Sequence, residues 1–319
     1  MNDYKPLLSA IERYLEKADN DLEEQLREEG RAIPKETVEV INDLEEELAS
    51  ALKSQTQYYV NEIKKKKTLA DVLNTFEEIK AADICDDAIK IACYNKLSEF
   101  VPKLASAYMA KVDSGLKIYK LTKRTTNWVT AWSGQLADMM KLPTPTAIEN
   151  IIKHGLESGV GIEEVTRQII DAGIRNERYR ARAAALTEIL RAHGVAQHEA
   201  FMLNPSVKGK IWRHTGNYRN EPRENHVNMN GQRRPKEQTF ELVGADGELY
   251  YPMFPLDPDL PASESVNCHC LCEPDVDEKI LVLPLDERQR LVNEARAELD
   301  DAWEKELDAQ NRARAGIEE

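Results

Sequence analysis

Several things are scarce in this chain of 319 residues, and each scarcity excludes something. Aromatic residues make up only 6% of it against 31% charged residues, a balance that disfavours a β-sandwich or barrel and favours long solvated helices. No apolar run approaches the ~20 residues that a membrane-spanning helix needs. The first residues, "MNDYKPLLSAIERYLEK", lack the basic start and apolar core of a signal peptide. Cysteines number five, an odd count in a chain expected to be made and kept in the cytosol. A disulfide framework is therefore not expected, and the thiols should be reduced and available as ligands. Cations are outnumbered, 43 Lys and Arg against 57 Asp and Glu for a formal net charge of −14. That argues against a general nucleic-acid coat, because phosphate binding is driven by lysine and arginine, while leaving room for a local basic patch.

What is present is enough for a core: 41% hydrophobic residues in a length that can hold two domains. Residues 1 to about 200 read as helix nearly throughout. Leu8, Ile11, Leu15, Ala18, Leu22 and Leu26 recur at helical steps, as do Val38, Ile41, Leu44, Leu48 and Leu52 after a break at Pro34, and Ile84, Ala88, Ile91, Tyr94, Leu97 and Val101 further on. These stripes predict the inner faces of a helical bundle. Lys64 to Lys67 read as a solvated helix end or loop, since no aromatic residue interleaves with them. Cys85 and Cys93 fall two turns apart, about 12 Å along a helix, too far to share a metal, and read as small core residues. Thr146 and Glu149 have the spacing of a capping box. After it, "HGLESGVGIEEVTRQIIDAG" predicts two short helices hinged at Gly155, Gly159 and Gly161, followed by a longer helix over about 175–203.

From Asn204 the character changes. Turn dipeptides and short β-prone runs (Ile211-Trp212, Thr239–Leu242, Leu249–Tyr251) predict a small sheet with long loops packed on helices. The expected fold class is α+β: a helical region over 1–140, a mixed domain over 146–275, and a C-terminal acidic helix over 285–319 with Leu291, Ala295, Leu299, Trp303 and Leu307 along one side and a frayed end.

Between Lys208 and Lys236 the charge reverses to about six net positive charges. Arg213, Arg219, Arg223, Arg233 and Arg234 lie there, with His214 and His226 among them, and are the candidate contacts for an acidic protein surface or a DNA backbone. Beyond this strip stands "SVNCHCLCEP", residues 265–274, with three of the five cysteines. Its metal reading joins His226, Cys268 and Cys270, with His214, His269 or Cys272 as candidate completions. Zinc takes four nitrogen or sulfur ligands. In an extended strand Cys268, Cys270 and Cys272 would share one face and His269 the other. A catalytic reading makes His226 a general base with Arg213 or Arg219 stabilising phosphate charge, although no acid or nucleophile is placed beside it by inspection. A third reading has the cysteines simply buried. On balance the stretch is a structural clasp for the domain, with or without metal, and a structural zinc is the one candidate cofactor.

The order of these features carries a resemblance. A helix with Thr187-Glu188 leads to Trp212, then to a polar loop with His226 and Asn230-Gly231. An aromatic-rich stretch, the loop "YPMFPLDP" and Asn267-Cys268-His269-Cys270 follow. Residues 146–275 in this order resemble the C-terminal domain of the phage Mu F-like minor head proteins, the head-morphogenesis family also represented in phage SPP1. The chain departs from that pattern at His269 and Leu186, where the family usually has arginine. Thr187, Glu188, Trp212, Gly231 and Asn267 are the motif positions. The resemblance implies a virion component inside the head, present in the host cytoplasm during assembly. Its implied partners are the portal protein and scaffold or capsid proteins, with packaged double-stranded DNA a further candidate. It implies binding rather than catalysis. The runner-up is a nucleic-acid-processing or toxin-like enzyme working through His226 and the nearby arginines.

Overall fold

The computed structural model describes residues 5–216 and 222–314, with side chains described from residue 17 onward apart from 173–176. Helix α1 (Lys5–Glu28) stops at Gly30, whose φ of 77° only glycine adopts cheaply. The Gly30 N–H donates to the Arg27 carbonyl and the Arg31 N–H to that of Leu26, the paired bonds of a Schellman cap. Helix α2 (Pro34–Lys64) opens with proline at its first position and ends at the first of the four lysines, where positive charge suits the helix terminus. Two short helices, α3 (Leu69–Asn74) and α4 (Phe76–Ala81), precede α5 (Cys85–Val112), α6 (Lys123–Lys141), α7 (Pro143–Glu157) and the 42-residue α8 (Ile162–Leu203). The mixed part comprises β1 (Val207–Arg213), α9 (Glu224–Asn228), β2 (Arg233–Pro235), β3 (Leu242–Val243), β4 (Leu249–Tyr250), α10 (Ala262–Ser265) and β5 (Leu271–Val276). Helices α11 (Glu278–Leu281) and α12 (Leu285–Arg314) complete the described chain. The class is α+β, with a helical N-terminal region and a C-terminal helix, as the patterns predict.

Two compact units divide these elements. One comprises residues 41–98 and 126–188. Its core gathers Tyr59, Val60 and Ile63 of α2, Leu69, Val72, Phe76 and Ile79 of α3 and α4, and Ile148, Ile152, Val165 and Ile169 of α7 and α8. The other comprises residues up to 40, 99–125 and 189 onward. Its sheet has the order β2-β1-β5, antiparallel throughout, with Ile211 opposite both Arg233 and Glu273. Trp212, on the central strand, is fully buried against Phe240 and His226 in edge-to-face contacts at 5.3 and 5.9 Å. Along α12, Val292 and Asp300 are buried and Leu307 is exposed. Asp300 accepts from the Lys123 N–H at 2.7 Å, and Arg124 lies 4.9 Å over the Trp303 ring.

Several local readings are corrected. The stripe Val38–Leu52 is buried, as are Leu22 and Leu26, while Leu8, Ile11 and Leu15 lie outside the described side chains. The third stripe holds only at its end: Leu97 and Val101 are buried, but Ile84 is 74% and Ile91 60% exposed, and the first turns of α5 bury Cys85, Ile89 and Cys93 instead. Both stripes have helical spacing, and the choice between them is made by what packs against the helix, not by periodicity. Cys85 and Cys93 do share the buried face. Thr146 caps nothing. Pro143, free of any N–H to satisfy, starts α7 earlier, and Thr146 donates back to the Leu142 carbonyl while Glu149 pairs with Lys153 at 2.7 Å. The capping box that does form joins Thr68 and Asp71 at 3.1 Å in each direction. No break separates 162–171 from 175–203: α8 runs straight through Gly173, a residue that weakens a helix interior by about 1 kcal/mol without ending it.

Candidate metal centre

Three segments with little regular structure meet under β1. Asn267, with φ of 57°, turns the chain after α10, so Cys268–Cys270 is a loop and the strand begins only at Leu271. An extended run through Cys272 is therefore not what aligns the thiols. Cys272 stays in β5, outside the cluster, its thiol pushed up to about 12 by burial. His269 points elsewhere, as expected of it. Its Nδ1 lies 2.8 Å from Glu29, and the His269 carbonyl accepts from the buried Arg31 at 2.8 Å. Burial opposes a charge on Glu29, but Arg31 at 2.7 Å and His269 hold its carboxyl below the usual range.

His226, Cys268 and Cys270 do come together, with ligand atoms within 4.8 Å of one another and all three buried. His226 Nδ1 is 3.5 Å from Cys268 Sγ and 3.7 Å from Cys270 Sγ. His214, leaving β1, places its Nδ1 3.5 Å from Cys270 Sγ. The other nitrogen of His226 meets a residue that sequence reading missed. Glu264 of α10 accepts from Nε2 at 2.8 Å, from Asn225 Nδ2 at 3.0 Å and from the Ala245 N–H at 2.9 Å. The expectation that no acid converges on His226 is thus corrected, and nothing local marks Glu264 among 57 acidic residues.

The electrostatics follow from this arrangement. Burial would raise the Glu264 carboxyl, but its three donors keep it below its ordinary value. Burial disfavours charge on His226, yet Cys268 and Glu264 outweigh it and raise its pKa. A hydrogen bond from Cys270, with His226 beside it, holds the Cys268 thiol well below the usual range, and the same bond with burial pushes Cys270 well above it. Two sulfurs this close cannot both ionise without a cation between them.

Residues 146–273 match the family described as Phage Mu protein F like protein. Over 309 residues, 94% of this chain, the sequence is 31% identical to the uncharacterized protein YqbB of Bacillus subtilis (strain 168), which it covers completely. The chain belongs to the phage Mu F-like family. That family is one of phage head morphogenesis. No solved structure matches.

The Mu F-like segment takes in most of α7, all of α8 and the strands as far as Glu273 of β5, so its motif positions can be placed. Trp212 is the aromatic wall of the cluster. Gly231, with φ of 83°, donates its N–H to the Trp212 carbonyl at 2.8 Å and closes the turn onto β2. Asn267 is the left-handed turn before Cys268. Thr187 and Glu188 belong to the other compact unit, where Glu188 accepts from the Trp132 indole at 2.6 Å.

The basic strip is less free than its charge suggests. Arg213 pairs with Glu273 at 2.7 Å, Arg233 with Asp275 at 3.8 Å and Arg234 with Glu241 at 3.6 Å. Arg223 donates to the Val266 carbonyl at 2.7 Å, and Arg219 lies outside the described residues. Lys210 is buried, 5.4 Å over the Phe240 ring and 3.0 Å from the Lys236 carbonyl, and its pKa falls to about 8. Lys236 in turn donates to the carbonyls of Met202 and Asn204.

Proposed function

We propose that this chain is a minor head protein of a tailed phage that joins the portal vertex inside the capsid during assembly and acts by binding, not catalysis. The observation that carries this reading is the match of residues 146–273 to the phage Mu F-like family. The likeness to YqbB extends over 309 residues and so takes in the helical region and the C-terminal helix as well. Among the described residues no helix is long and apolar enough to cross a membrane. The portal-facing surface in this reading is the β2 edge of the sheet, which presents Arg233 and Arg234 to an acidic partner surface, and contact with packaged DNA is secondary. Against the enzyme reading, His226 is 2% exposed and its Nε2 is taken by Glu264, so it has no free face for a substrate proton.

The test is co-sedimentation with the portal protein and heads made by the same genome, at physiological and at high salt. Sub-stoichiometric association with portal-containing particles at both salts is the expected result. A chain that stays in the supernatant while portal and capsid pellet would end the assignment.

A further inference from the structure

The sulfur–nitrogen separations under β1 are those of a coordination sphere. With Zn–S near 2.3 Å and Zn–N near 2.0 Å, a tetrahedral ion sets its sulfur and nitrogen ligands about 3.5 Å apart. The three separations in the structure are 3.5, 3.7 and 3.5 Å. We propose that His214, His226, Cys268 and Cys270 form a four-coordinate structural zinc centre, with Glu264 as the positioning residue that orients His226.

Three further observations support it. Glu264 fixes the tautomer of His226: with the proton on Nε2, the Nδ1 lone pair points at the two sulfurs, the carboxylate–histidine arrangement that raises a ligand's basicity. The buried Trp212 indole, edge-to-face with His226 at 5.9 Å, has no hydrogen-bond partner for its N–H, a polar atom left unanswered in the wall of the cluster. Two thiolates with two imidazoles form a soft donor set that suits zinc over calcium or magnesium. An ion also has a way in, since a cavity of about 280 Å³ lined by Glu28, Arg213, His214 and Glu273 opens beside the half-exposed His214.

The same atoms invite a rival reading, in which Cys268, His226 and Glu264 are a nucleophile, base and orienting acid. Cys268 is 2% exposed, however, and a second sulfur lies beside the same Nδ1. A nucleophile needs an open face and one thiol, whereas a chelate needs two thiols and a closed one. The centre joins the end of β1, α9 and the loop before β5, adding a tie between α9 and a short three-stranded sheet that holds β1 and β5 side by side. Binding energy spent there is folding energy. None of this depends on the portal reading.

Metal content of the full chain, purified without chelator, is the test, with metals identified by mass spectrometry. The expected result is about one zinc per chain. Cobalt(II) added to the metal-stripped wild-type chain should give the intense visible band and thiolate charge transfer of a tetrahedral S2N2 site. His214→Ala, at the half-exposed ligand, should keep the fold and release zinc to a chelator faster. Glu264→Gln should weaken zinc affinity about 10–100-fold. A folded wild-type chain with less than about 0.2 zinc and no cobalt band would overturn the proposal. So would rapid alkylation of Cys268 by iodoacetamide in the folded protein, at a rate that chelator does not change.

Discussion

Arg31 is buried beside Glu29 at 2.7 Å, and it also holds the carbonyls of His269 and Cys270. Removing one member of such a pair leaves a buried charge uncompensated, so Arg31→Met should cost about 3–5 kcal/mol in urea unfolding. Adding Glu29→Gln should recover part of that loss, and an Arg31→Met variant as stable as wild type would refute the pairing. His193 supplies the acid limb. It is buried between Thr37 and Tyr108, at 3.0 and 2.8 Å, and burial first, then Arg31 and Lys111, hold its pKa well below 6.5. Between the folded and unfolded values only the unfolded chain binds this proton. The stability is therefore full above about pH 6.5 and declines as pH falls, by about 1.4 kcal/mol per unit for this group. His193→Gln should flatten that decline, read as unfolding midpoints from pH 7 to 4.5. At this scale sequence reading did well where residue types are scarce: six histidines and five cysteines make His226, Cys268 and Cys270 conspicuous. It missed Glu264, a commonplace carboxylate given its role only by tertiary contact. It also misjudged Cys272, because a single left-handed residue, Asn267, breaks the strand that would have aligned it.

Elements close together at glycines, and two of these closures should respond differently to the same substitution. A Cβ on Gly155 of α7 would stand 2.4 Å from the Val165 Cγ2, a side-chain neighbour. One on Gly194 of α8 would meet the Pro255 carbonyl oxygen at 2.9 Å, a backbone neighbour that cannot rotate away. Each Gly→Ala change should destabilise by about 1–3 kcal/mol. Val165→Ala should relieve the first, so that the double variant falls short of the additive loss. Trimming Phe254, which the Gly194 Cβ would also meet at 3.0 Å, should not relieve the second. Thermal melting of the four single and two double variants checks both. Helix content and the buried α2 stripe were legible because a long 3.6-residue period is hard to mistake. The face of the first turns of α5 was not, since they offer two apolar stripes and only the packed structure selects one. The start of α7 was not either, because Pro143 and Thr146 both signal a helix beginning and the proline prevails.

Across the whole molecule, net charge and its local reversal pull in opposite directions on any DNA contact. The formal charge of −14 repels a polyanion, and the basic strip that could overcome it is largely answered from within: β5 brings Glu273 and Asp275 against Arg213 and Arg233, while Lys210 and Lys236 are turned inward onto backbone carbonyls. Each phosphate neutralised contributes about −0.9 to the slope of log K against log salt, so four free arginines would give a slope near −3.6. With most of them paired, the wild-type chain should bind a short DNA duplex weakly, with a slope no steeper than about −2 between 50 and 200 mM salt. Glu273→Gln with Asp275→Asn should steepen it by freeing the two arginines. Fluorescence anisotropy of a labelled duplex reads both quantities. A shallow wild-type slope that steepens in the double variant means that β5 masks the strip against nucleic acid, leaving the β2 edge for a protein partner whose buried interface is less sensitive to salt. A wild-type slope of about −4 or steeper would instead make the strip a DNA interface, and the portal would have to be met by another face of the molecule.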